Sequence, residues 1–547
     1  MSPTTRLAIY SSFINGKCIN DHDTKDTLPD NHTPVVSPAT NKAVLGFVPS
    51  TPQDVENAIS AATEAFHATD DDTDDTASWS HHSQTSNRAS ILLSIANELR
   101  QNTTRLADLE VQQIGRPCKE MRFQLSRLPE WFEYYASLLR VHEESVKPFG
   151  PGYLNVTKRV ALGVVVQITP FNHPLLITVK KLAPALAAGN TVVIKPSELA
   201  PASVIEFAKL CTKAGLPPGV LNVLLGGKEV GECLISDTRI VKVDFTGGPS
   251  AGKEIGRQAG ANLCYVTQEL GGKAPMIVMP PPGGTQLYTA EKLNEYLDPI
   301  VNGCAFGAFI ASGQTCIAGT RAIVHESIYE IFKEKMVLKV KCFRMGHPEC
   351  TDTTIGPVIT SKQLSFMDTC VKEGLSSDLE SLELLCGGKR YTAFQDEKEE
   401  LNHGNWYEPT IIAVKQKSAL TQEIHHNNIL FQTELFGPIL LLVPFSTTKE
   451  AITLANDTPY GLGCSIWTHD LVEAHSMADA VQSGIVWIND HHKNHPSSPW
   501  GGLKKESGVG RENGLDAYYE YTQTKSIVVN CNKFDSDWFK DADARYN

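Results

Sequence analysis

The stretch from Val160 to Gly226, VALGVVVQITPFNHPLLITVKKLAPALAAGNTVVIKPSELAPASVIEFAKLCTKAGLPPGVLNVLLG, decides the fold. Three apolar, β-branched runs recur in it: VALGVVVQI (Val160–Ile168), TVVIKP (Thr191–Pro196) and VLNVLLG (Val220–Gly226). Helical patterns separate them, one through Pro184–Ala188 and one around Ser203–Ala214. Strands that alternate with crossover helices encode a parallel sheet. The alternation continues through VDFTGG (Val243–Gly248), a helical SAGKEIGRQA (Ser250–Ala259) and a strand-like APMIVM (Ala274–Met279) into a second α/β section that runs to about Trp500. TKSIVVN (Thr524–Asn530) reads as one more strand, and residues 531–547 form a polar tail.

Upstream, Pro52–Leu139 spaces apolar residues three and four apart, the pattern of packing helices. Within it, Asp70–Ser86 (DDDTDDTASWSHHSQTS) is acidic and small, buries little, and reads as an exposed loop; a calcium cage would need specified ligand spacing. Two further polar segments, Gln395–Asn405 and Gln422–Asn428, look inserted, at a substrate mouth or a subunit contact.

With 547 residues, 41% of them hydrophobic and 20% charged, the chain can bury a large core and should divide into two or more domains. Its net charge of -13 argues against nucleic acid, which needs clustered Lys and Arg. No apolar run reaches the length of a membrane span, so the expectation is a soluble, cytoplasmic protein. The 13 cysteines are odd in number, scattered and without CxxC pairs, which fits reduced thiols rather than disulfides, and no metal-ligand spacing is evident.

Three motifs carry candidate chemistry. Gly313-Gln314-Thr315-Cys316 sets a thiol among small and polar residues, although a lone cysteine is more often a small core residue. Glu269-Leu270-Gly271-Gly272-Lys273 gives an acid followed by glycines, whose tight path could present the carboxylate to a cavity as a base; a solvated surface loop is the alternative. Thr169-Pro170-Phe171-Asn172-His173-Pro174 closes a buried strand with an asparagine whose amide could donate to an oxyanion, or simply to its own turn.

Taken together with KPSE (Lys195–Glu198), FTGG (Phe245–Gly248), ELFGP (Glu434–Pro438) and PWGGLKKESGVGRENG (Pro499–Gly514), in this order and spacing, the chain resembles the aldehyde dehydrogenase superfamily from about Phe13 to Asn530. The resemblance implies an α/β fold: a modified Rossmann cofactor domain (1–139 and 160–268), a catalytic α/β domain (269–516) and a β-strand oligomerisation arm (140–159 and 521–530). It implies a homodimer or homotetramer. It assigns Cys316 as nucleophile, Asn172 as oxyanion donor and Glu269 as the base that activates water against the thioester. The cofactor implied is NAD, with NADP as the alternative. Lys195, Ser197 and Glu198 fall at the adenosine ribose, Thr246, Gly247, Gly248 and Gly252 at the pyrophosphate, Leu270 beside them, and Glu434 and Phe436 at the nicotinamide end. The Glu198 carboxylate would repel a 2′-phosphate, which favours NAD.

One region departs from the pattern. His173 and Lys180 stand where many members carry aromatic residues, a tryptophan at Lys180, and the far wall holds His491 and Trp500. This reads as a polar, partly cationic pocket for an aldehyde bearing a carboxylate or hydroxyls; alternatively Lys180 faces solvent and the histidines bond backbone. Two other functions remain open at this point. One is acyl transfer to coenzyme A, against which the presence of Glu269 argues; the other is a non-catalytic dinucleotide-binding relative.

Overall fold

The computed structural model describes residues 7–19, 31–67, 78–378, 380–415 and 426–532. Two large sheets dominate. The first carries five parallel strands in the spatial order Tyr265–Glu269, Ile240–Thr246, Val164–Ile168, Thr191–Lys195, Leu221–Val223. From Val164 the chain builds outward to one side, then returns to build the other, so the connections diverge between Val164–Ile168 and Ile240–Thr246. Such a divergence opens a crevice at the carboxyl ends of the strands. Antiparallel strands flank the parallel five: Gly508–Val509 beside Tyr265–Glu269, and Phe13–Ile14, with Lys17–Cys18 outside it, beside Leu221–Val223.

The second sheet runs Leu382–Cys386, Thr410–Val414, Ile439–Phe445, Arg321–His325, Pro275–Val278, Gly463–Trp467, Ile485–Ile488, parallel except for the first strand. Its inner strand Ile439–Phe445 is buried throughout, as its uninterrupted ILLLVPF predicts for a strand covered on both faces. A third, antiparallel sheet joins Ser145–Lys147, Tyr153–Ala161 and Thr522–Asn530.

The structure corrects the sequence reading in several places. VALGVVVQI is not one strand: Val160 and Ala161 end the antiparallel arm strand, Gly163 turns with φ +142°, and the buried strand begins at Val164. The strands expected over 140–159 begin at Ser145, since Arg140 and Val141 complete the helix Pro129–Val141, and they extend to Ala161. The helix expected at Pro184–Ala188 starts ten residues earlier, Pro174–Ala187, with Pro174 in its first turn. Of the acidic segment, residues 70–77 lie outside the described residues. Trp79 is buried, and Thr85 and Ser86 already belong to the helix Thr85–Ile114. The 395–405 segment forms a short 3-10 helix, Asp396–His403, and packs Leu401 with Phe394 and Trp406 on Ala39. Most of the second polar segment, through residue 425, and residues 533–547 of the tail lie outside the described residues.

Candidate active site

The site is assembled where strands of the first sheet end. Ile168 leads into Thr169–Asn172, Lys195 into Pro196–Glu198, Thr246 into Gly247–Gly248, and Glu269 itself ends a strand. Parallel pairing puts these ends at one level.

Cys316 arrives from the second α/β unit. The helix Ala290–Phe309 stops, and Ala311, Ser312 and Gly313 follow with φ of 55°, 53° and 70°. Two consecutive non-glycine residues in the left-handed region are costly and persist only when their surroundings over-determine them. Here they do: Ala311 N donates to Glu120 Oε2 (3.2 Å), Ser312 Oγ donates to Gly356 O (2.9 Å), and Gln314 bonds Pro357 O (3.1 Å) and Ile359 N (2.9 Å). Gly313 approaches Gly437 so closely that a Cβ there would lie 2.1 Å from the Gly437 carbonyl oxygen. The thiol is half-buried, and burial, with Glu434 and Glu269 nearby, pushes it well above the usual thiol range.

Two contacts converge on this turn. Asn172 Nδ2 donates to Gln314 O at 2.8 Å, and the backbone of the Glu269–Lys273 loop passes so near that a Cβ on Gly272 would lie 1.8 Å from Cys316 O. Glu269 is 2% exposed, and neither carboxylate oxygen has a hydrogen-bond partner among the described residues. Burial above all, and then Glu512, drives its carboxyl well above the ordinary range, while Lys180 and Lys181 oppose the rise.

The other expected residues fall in two groups. Glu434 Oε1 accepts from Gly272 N at 2.9 Å and is pushed up to about 7 by burial. Phe436, with φ 50°, sets its ring edge-on to Phe171 at 6.0 Å. Gly248 precedes the helix Pro249–Ala261, and the Thr246 hydroxyl is buried without a partner among the described residues. Gly252 has a packing reason: a Cβ there would meet Leu270 Cδ2 at 2.5 Å. Lys195 Nζ reaches Pro196 O at 3.4 Å with Glu198 and Glu229 nearby, and Ser197 Oγ accepts from Leu199 N at 3.3 Å.

The residues expected to form a cationic wall are otherwise engaged. His173 Nδ1 sits 2.8 Å from Arg116 and 2.9 Å from Gln124, and burial, then Arg116, holds it well below the ordinary histidine range. His491 Nε2 contacts Ile317 O at 2.7 Å and falls to about 4 through burial; His492 meets Gly307 O. Lys180 does not face solvent: its ammonium lies 2.7 Å from Glu512 Oε2 and 4.4 Å from the centre of the Trp500 ring. Beside Glu120, which borders it, lies a cavity of about 540 Å³ lined by Phe123, Phe306, Phe309, Ile310, Phe343 and Ile355.

The sequence pattern of the aldehyde dehydrogenase family matches residues 25–527. The chain belongs to the aldehyde dehydrogenase family. Among similar proteins, (Z)-2-((N-methylformamido)methylene)-5-hydroxybutyrolactone dehydrogenase of Acinetobacter baylyi is 37% identical over 95% of this chain and 96% of its own. Betaine aldehyde dehydrogenase of Bacillus subtilis is 34% identical over 92% and 95%. Betaine aldehyde dehydrogenase of Staphylococcus aureus, solved in complex with NAD+, superposes with a TM-score of 0.84 at 29% identity, covering 97% of this chain and 96% of that one.

Sequence reasoning passed over several residues of this aldehyde dehydrogenase. Arg116 and Glu120 support both the turn before Cys316 and Asn172, whose carbonyl accepts from Arg116 Nη1 at 3.3 Å. Lys181, Asp244 and Glu512 form a buried ion cluster with Lys180. The available signal was a pair of lysines inside the otherwise apolar PLLITVKKLAPALA. Charges in a buried helix require partners.

Proposed function

We propose that this aldehyde dehydrogenase oxidises an uncharged aldehyde to the carboxylic acid, with NAD, through a thioester on Cys316. The observation that carries this reading is the convergence of Asn172 and the Glu269–Gly272 loop on the Gln314–Cys316 turn.

The chemistry follows from the groups present. The thiol is neutral at rest, so it needs a base, and Glu269 is a buried carboxyl group whose oxygens have no hydrogen-bond partner among the described residues. Glu269 takes the proton from Cys316 Sγ, and the sulfur attacks the carbonyl carbon of the aldehyde. Asn172 commits one amide hydrogen to Gln314 O; the other, with the Cys316 backbone N–H, is available to the resulting oxyanion. Such a donor contributes about 2.7 to 4 kcal/mol in other acyl-transfer sites. Bound NAD supplies the hydride acceptor. Loss of hydride from the carbon leaves the thioester; Glu269, having shed its proton, deprotonates a water that attacks the same carbon, the acid departs and the thiol is restored.

Residues of the chain fit the dinucleotide. The helix start at Gly248–Pro249 and the unpartnered Thr246 hydroxyl suit a pyrophosphate, the Glu198 carboxylate suits free ribose hydroxyls, and Glu434 with Phe436 suits the nicotinamide end. We assign the first sheet with its helices to cofactor binding, the second to catalysis, and the exposed third sheet to assembly of a homodimer or homotetramer. The matched charge of Lys180, paired with Glu512, favours an uncharged substrate over a carboxylate-bearing one.

The test is absorbance of reduced cofactor at saturating NAD over aliphatic, aromatic and carboxylate-bearing aldehydes, with Cys316→Ala alongside. Turnover by the wild type and none by the variant is expected, with medium-chain aliphatic or aromatic aldehydes leading. Preference for the carboxylate-bearing aldehyde would overturn the substrate assignment, and turnover by Cys316→Ala the mechanism.

A further inference from the structure

The helix Pro174–Ala187 buries two neighbouring lysines, and both reach the same carboxylate. Lys181 Nζ lies 2.6 Å from Glu512 Oε1 and also contacts Asp244, while Lys180 Nζ lies 2.7 Å from Glu512 Oε2. The side chains of Lys180 and Glu512 are 1% and 3% exposed. Trp500 and Glu512 are held side by side by two reciprocal backbone hydrogen bonds of 2.8 Å, so one hairpin presents both an aromatic face and an anion to the Lys180 ammonium. Without Lys180, the cluster Asp244, Lys181, Glu512 would carry two anions and one cation beside Glu269, whose two oxygens find no partner among the described residues.

We propose that Lys180 is a positioning residue for the base: as the second cation on Glu512 it balances the buried Asp244, Lys181 and Glu512 cluster next to Glu269. The charged groups that bear on Glu269 are Glu512 and Asp244, which oppose its ionisation, and Lys180 and Lys181, which favour it. Lys180 also favours the Cys316 thiolate, against Glu434, Glu269 and Glu512. This places Lys180 behind the reacting groups and not among those that bind substrate, and it rests on the reading of Glu269 as base.

The experiment compares pH profiles of kcat and kcat/KM for wild type, Lys180→Met, Lys180→Gln and Lys180→Arg, with the pH dependence of Cys316 alkylation by iodoacetamide in the absence of NAD. Lys180→Gln keeps a donor for Glu512 and removes only the charge, so it serves if the Met variant fails to fold; thermal unfolding checks both. The expected result is an acid limb moved up by about one pH unit in the neutral variants. That is about tenfold lower kcat/KM at pH 6 with little change at pH 9, an alkylation profile moved the same way, and Lys180→Arg resembling the wild type. A raised KM at an unmoved midpoint would make Lys180 a substrate contact and overturn the proposal, as would unmoved profiles throughout. Glu269→Gln separates the two levels: if it retains turnover, the base assignment itself fails, whereas a dead Glu269→Gln beside unmoved Lys180 profiles defeats only the role of Lys180.

Discussion

Gly272 shows how closely the site is built at the level of single residues. Its missing side chain allows the Glu269 loop to touch the Cys316 carbonyl, where a Cβ would stand at 1.8 Å, against backbone that cannot yield. Gly272→Ala is therefore expected to separate Glu269 from Cys316 and, on the mechanism proposed, lower kcat at least a hundredfold, the scale on which a small misplacement acts. Cofactor binding, read by fluorescence titration, should weaken far less, because only the Gly272 N–H to Glu434 contact is disturbed. Wild-type turnover in this variant would show that the close approach is not needed. The glycines of ELGGK are legible in the sequence, but what they approach is not. The carbonyl that Gly272 accommodates lies 44 residues along the chain, and no local pattern encodes that distance.

Glu110 makes the corresponding case among elements. It sits in the long helix Thr85–Ile114 with no exposed surface, where its Oε1 accepts from Leu175 N (2.9 Å) at the start of the Pro174–Ala187 helix and from Ser203 Oγ (3.0 Å) on the next, so one carboxylate ties three helices together. Its other oxygen has no partner among the described residues, and burial pushes its carboxyl from 4.5 to about 7. Between these values the folded protein keeps a proton that the unfolded chain has released. Stability attributable to this group is thus fullest below pH 4.5, falls as pH rises toward 7, and then levels, by about 3 kcal/mol in total. Glu110→Gln cannot titrate and should flatten this part of the stability profile, measured by chemical unfolding from pH 5 to 8. An unchanged slope would assign the pH dependence to other groups. Nothing in the sequence marks Glu110: by its spacing it is one acid on a polar helix, and only the docking of two other helices turns it inward.

For the whole molecule, the informative surface is the third sheet. Its outer strands leave Val146 66% and Val528 48% exposed, Phe149 between Ser145–Lys147 and Tyr153–Ala161 is 55% exposed, and among the described residues no further strand pairs with the edges of Ser145–Lys147 and Thr522–Asn530. Exposed apolar strand edges are stable in solution when another chain covers them. Val528→Lys should shift the molar mass in light scattering from oligomer toward monomer while the far-ultraviolet spectrum is unchanged; an unchanged mass would place the interface elsewhere.

The sequence by itself determined the alternating α/β architecture, since strand and helix periodicities are local, and it brought out Cys316, Glu269 and Asn172, since each lies in a short motif at the end of a periodic element. The tertiary structure alone decided where the boundary between arm and core strand falls at Gly163, how Ala311 and Ser312 are held in the left-handed region, and what becomes of Lys180. A lysine's charge looks the same in sequence whether it meets solvent, substrate or a buried carboxylate. Here Glu512, 332 residues away, meets it beneath Trp500, and a long-range pairing of that kind is settled by packing and by the cost of leaving a buried charge unmatched.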